Sequence, residues 1–66
     1  PAGSIVEVVG SSPTSFENAA RSAVEAAAKT LRDLRVAEVT KLDMKIENGK
    51  VVAFRARVSM SFKYEG

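Results

Sequence analysis

Cysteine, histidine and tryptophan are all missing from this chain. Without cysteine there is no disulfide and no thiolate metal site. Without histidine the commonest metal imidazole and the commonest general base are gone. A metal held here must be held by oxygen, which favours calcium, magnesium or manganese. At 66 residues a domain buries only about 60% of its unfolded surface and is marginal alone. Chains of this size usually add disulfides, a metal or partners, so oligomerisation is the staple left. No apolar run approaches the ~20 residues needed to span a membrane. No signal peptide or lipidation motif is recognised, so a cytoplasmic location with no membrane partner is expected. Net charge is +2 with a pI near 9.3. That leans toward anionic ligands but is far from the charge density of a dedicated nucleic-acid binder.

What is present begins with Gly10–Leu34, GSSPTSFENAARSAVEAAAKTLRDL. Thr14 and Glu17 have capping-box spacing, in which the hydroxyl accepts from a helix N–H and the carboxylate reaches back to the cap. Pro13 keeps Ser12 out of helical geometry. Phe16, Ala19, Ala20, Ala23, Val24, Ala27, Leu31 and Leu34 recur at helical spacing, which predicts an amphipathic helix over roughly 15–34. Its alanines let it sit close to whatever it packs on.

Extended segments flank the helix. Ile5–Val9 (IVEVV), ended by Gly10-Ser11-Ser12, reads as a first strand. Asn48-Gly49 between two extended runs is a type I′ hairpin signal, because both residues tolerate positive φ. After it, Val52, Phe54, Ala56, Val58, Met60, Phe62 and Tyr64 alternate with Val51, Ala53, Arg55, Arg57, Ser59, Ser61 and Lys63. Such a strand buries one face. In the run Arg35–Glu47, Ala37 and Val39 share one face while Leu42, Met44 and Ile46 share the other. A bulge near Thr40-Lys41 would reconcile the halves; so would burial of both faces by neighbouring chains. The fold class is therefore α+β, one β-α-β-β domain over residues 1–66, with residues 1–4 expected to stand outside the fold. A three-stranded antiparallel sheet curls around one helix, and its open edges invite pairing with other chains.

VVGSSPTSFENAARSAVEAAAKTLRDL, then AEV, ENGKV and a terminal VSMSFKYE, resemble the dodecins over Ile5 to Glu65. The resemblance implies a hollow homododecamer that stores or buffers flavin (riboflavin or FMN type) without turning over a substrate. It implies flavin rings stacked on a tryptophan of the second strand and hydrogen-bonded by a glutamine of the third. This chain has Val36 and Arg55 at those two positions. Valine still offers an apolar wall, and the planar guanidinium of Arg55 can stack or pair with phosphate. Lys45 and Lys63 fall near positions where some dodecins hold phosphate-bearing flavins or nucleotides. Val36, Arg55, Lys45 and Lys63 are thus the expected ligand-binding residues. A branch of the family without the tryptophan is associated with calcium, and Arg35–Met44 (RVAEVTKLDM) resembles it. The alternative function is accordingly a flavin-free dodecin that binds calcium or serves only as a shell.

No carboxylate pair has a calcium-loop spacing, so the sequence assigns no metal ligand; symmetry axes would multiply single carboxylates. Glu17 is expected in the helix cap and Glu38 in an intersubunit salt bridge. No catalytic motif accompanies the Ser, Thr, Tyr64, Lys and carboxylate side chains, so an enzyme is not expected. Nucleic-acid partners are not expected either: Phe54, Phe62 and Tyr64 alternate onto the face opposite Arg55, Arg57 and Lys63, whereas base-stacking surfaces interleave the two.

Overall fold

A computed structural model describes residues 4–62. The elements run β1 (Ser4–Ser12), α1 (Phe16–Ala28), β2 (Leu34–Glu47) and β3 (Lys50–Phe62), the order expected. β3 is central, with β1 and β2 antiparallel on either side.

β1 is longer than Ile5–Val9 at both ends. It starts at Ser4, within the segment expected outside the fold. It also continues through Gly10 and Ser11 to Ser12, which pair with Ala56, Arg55 and Phe54. Pairing with a long central strand overrides the local turn composition. Gly10 is a close-approach residue: a Cβ there would collide with the Ala19 carbonyl oxygen and lie 3.0 Å from the Ala23 Cβ.

The helix start differs in detail from the Thr14 box. Ser15 is the N-cap, and its Oγ accepts from the Asn18 N–H at 3.0 Å. The Thr14 Oγ1 instead accepts from the Asn18 Nδ2 at 2.8 Å. Glu17 is not in the cap; it pairs with Arg21 one turn later at 3.0 Å, the favoured i,i+4 geometry. The buried Ser12 Oγ accepts from the Thr14 N–H at 3.1 Å, which ties the end of β1 to the helix start. α1 stops at Ala28, short of Leu34. The Ala27 carbonyl accepts from the Thr30 and Leu31 N–H groups, closing the last turn, and Asp33 at φ 57 redirects the chain. Leu31 and Leu34 still pack on the core, outside helical geometry.

Asn48 (φ 53) and Gly49 (φ 74) form the expected turn, closed by Glu47 opposite Lys50. The register of β2 against β3 slips between Leu34 and Val36, between Val39 and Lys41, and between Lys45 and Ile46. Thr40 is the unpaired residue at the second slip, where the bulge was expected. It puts Ala37, Val39, Leu42 and Met44 opposite Met60, Val58, Ala56 and Phe54, all on the helix side of the sheet. The predicted alternation of β3 holds from Ala53 onward, but Val52 drops out of the ladder at the third slip.

Ala19, Ala23 and Ala27 lie on Ala56, Val58 and Met60, with Val6, Val8, Ala20, Val24, Leu31 and Leu34 packed around them. Phe16 and Phe54 close one end edge to face, ring centres 5.1 Å apart. The helix covers β1 and β3. β2 is exposed from Arg35 to Glu47, and its apolar side chains extend the helix-side face beyond the helix.

Candidate ligand-binding surfaces

Val36 lines a hollow of about 110 Å³ with Val24, Leu34, Arg35, Ala37 and Met60. The irregularity at Arg35 and the end of α1 create it: the helix stops before it can cover the start of β2. Val36 is 65% exposed, so it forms an apolar wall open to solvent. Arg35 is the one charged side chain at its edge.

Arg55 lies elsewhere. Val36 stands opposite Ser61, whereas Arg55 stands opposite Asp43. The six intervening steps along β3 span roughly 20 Å at the strand rise of ~3.3 Å per residue. One chain therefore does not bring these two expected ligand residues together. Lys45 is a third location, opposite Ala53 and 3.5 Å from the Glu47 carboxylate. Lys63 lies outside the described residues.

On the sheet face away from the helix, side chains form rows across the strands. Val9, Arg57 and Lys41 make one row; Ser11, Arg55 and Asp43 make the next. Between them is a second hollow of about 80 Å³, lined by Val9, Lys41, Asp43, Arg55 and Arg57. Arg55 grips Asp43 in a two-pronged pair. Its Nε donates to Oδ1 at 2.6 Å and its Nη2 to Oδ2 at 2.9 Å. The guanidinium hydrogen bonds hold the Asp43 carboxyl below its ordinary pKa, with the positive charges of Arg55 and Arg57 adding to the effect. The same carboxylate raises Arg55. Among the described residues, Arg57 and Lys41 have no carboxylate within ion-pair distance. The Thr40 hydroxyl donates to the Arg57 carbonyl at 3.2 Å and fixes the bulge beside them.

Asp43 is the site residue that sequence reasoning missed. Counting back from the Asn48-Gly49 turn in simple register would set it opposite Phe54. The slip at Val52 moves it opposite Arg55. Glu38 stands opposite Ser59, as does Glu7 from β1. Among the described residues no group of three acidic side chains is close enough to hold a metal ion. None of their helices is long and apolar enough to cross a membrane.

The dodecin family model matches residues 4–65. The calcium dodecin of Mycobacterium tuberculosis is 37% identical over 59 residues, 89% of this chain and 83% of that protein. Its crystal structure, of a calcium-chelating antigen with a novel calcium-binding site, is 36% identical at a TM-score of 0.88, covering 98% of this chain and 93% of that one. A dodecin from Streptomyces coelicolor is 38% identical at a TM-score of 0.91, covering 97% of this chain and 91% of that one.

Proposed function

The chain belongs to the dodecin family, and we propose that it forms a non-catalytic shell of twelve identical chains that sequesters a flavin in an altered pocket. The open hollow at Val36 carries the reading. It is apolar except for Arg35, and its wall is exposed in the single chain. A flavin ring needs an apolar surface to lie on and polar groups at its edge. The residues here fit that need in part. Val36, Val24 and Ala37 offer the surface, over the buried Met60, and the Arg35 guanidinium offers a planar edge. The ring-contacting role of Arg55 requires a neighbouring copy, because roughly 20 Å of strand separates it from Val36 within one chain. Lys45, farther from Val36 than Arg55 is, would also have to come from a neighbouring copy to meet the anionic tail of a phosphate-bearing flavin, and Lys63 is the other candidate for that contact. A bound flavin supplies redox chemistry and visible fluorescence; the protein's part is to exclude water and hold the ring. Riboflavin and FMN titrations read by fluorescence quenching test this. Saturable quenching by both is expected, and quenching no greater than with an unrelated protein would overturn it.

A second reading has support from the relatives, since one of them is a calcium dodecin. Calcium wants six to eight oxygens, and one chain does not gather them among its described residues. Carboxylates repeated about a symmetry axis would have to do so. Calorimetric calcium binding without flavin quenching would favour this reading.

A further inference from the structure

We propose that the hollow on the helix-free face of the sheet is a phosphate site, with Arg57 and Lys41 as its anion ligands and the Asp43–Arg55 pair as its positioning wall. Three cations and one carboxylate line it, so it carries a surplus of two positive charges. The one carboxylate is already spent: both of its oxygens accept from Arg55. That leaves Arg57 and Lys41, exposed neighbours in one row across β3 and β2 that have no ion-pair partner among the described residues. A free guanidinium fork matches the oxygens of a phosphate, and an ammonium adds a mobile point charge.

The bulge builds the pairing. Were Thr40 paired in the ladder instead of bulged, strict alternation from Val39 would send Lys41 to the helix side. With Thr40 bulged, Lys41 stands opposite Arg57. Bulges re-aim side chains in this way. Val9 supplies an apolar wall on the other side of Arg57. The volume, about 80 Å³, is several times the roughly 10–15 Å³ that one water requires. Glu7 and Glu38 face the next row, opposite Ser59, and do not line the hollow. Arg55 is common to this site and the flavin reading, but the anion ligands are not, so the phosphate site stands whether or not a ring binds at Val36.

The test is calorimetric titration of the full-length, assembled protein with inorganic phosphate at low ionic strength, followed by FMN and riboflavin. Saturable phosphate binding is expected, with the Arg57 guanidinium NMR signals shifting in step. Replacing Lys41→Met and Arg57→Met together is expected to weaken phosphate at least about tenfold, as loss of charge-assisted hydrogen bonds should. Asp43→Asn is expected to tighten it by removing the one nearby carboxylate. Lys50→Met, at the hairpin turn, should leave it unchanged. FMN competing with phosphate would identify a phosphomonoester as the source, and phosphate binding without that competition would identify the free ion; both uphold the site. Riboflavin quenching retained in the double variant separates this claim from the flavin reading. A linear, non-saturating titration would overturn the proposal. So would a double variant of parental oligomeric mass that binds phosphate as tightly as the parent.

Discussion

Gly10 decides how closely α1 lies on the sheet, because a methyl group there would run into the Ala19 backbone and Ala23. Overpacking a well-packed contact costs about 1–3 kcal/mol. Gly10→Ala should lower the stability by that amount in urea unfolding; a change under about 0.5 kcal/mol would mean that the helix can retreat. Asp43 makes the residue-scale pH prediction. Its folded pKa is lowered, chiefly by the Arg55 hydrogen bonds. The pair's contribution is therefore present above the unfolded aspartate pKa and fades as pH falls through the lowered one. NMR titration of the Asp43 carboxyl should give a midpoint below the ordinary ~3.9. A midpoint at or above that value would show that the two-pronged pair does not persist in solution. Val36→Trp with Arg55→Gln should tighten flavin binding about two- to tenfold, since stacked aromatic pairs are worth roughly 0.5–1.5 kcal/mol beyond their area. Unchanged quenching constants would place the ring away from Val36.

Among the elements, the hairpin is where local and long-range information meet. Asn48 and Gly49 were legible because the turn demands their positive φ. The burial of Ala56, Val58 and Met60 was legible from period two. The phase flip in β2 told of an irregularity near Thr40 without deciding between a bulge and two-sided burial; the register decides for the bulge. The Asp43–Arg55 pair was illegible because a further slip, at Val52, lies in a run whose alternation reads as unbroken. The helix end was missed for a related reason. Leu31 and Leu34 keep helical spacing, yet reach the core after the chain has turned at Asp33. Ser15 took the cap that Thr14 resembled, a one-residue difference that composition alone does not separate. Deleting Thr40 should restore simple alternation with Ala37, Val39, Leu42 and Met44 still on the helix side, while removing the bend of the bulge and the Thr40 hydrogen bond to the Arg57 carbonyl. Loss of assembly, seen by light scattering, is expected; an unchanged particle would mean that the bulge is dispensable.

As a whole molecule the single chain has more surface than its mass warrants. Its accessible area is 4928 Å², against about 4,000 Å² for a compact chain of 7.0 kDa. Its radius of gyration is 13.4 Å, against roughly 11 Å expected. The β2–β3 arm contributes to it: Leu42, Met44, Ile46, Val51 and Val52 are 40–60% exposed. Apolar surface on this scale marks an interaction site, and copies of this chain are its natural cover in a family of shells. Leu42→Asp with Ile46→Asp should therefore break the assembly into smaller species. The account's central claim is a self-assembled shell that holds a small ligand, and native mass spectrometry of the purified protein incubated with riboflavin, FMN or calcium tests it most directly. The account predicts a twelve-chain complex carrying flavin-sized mass increments. A monomer, or a twelve-chain complex whose mass is unchanged by either flavin, would contradict it.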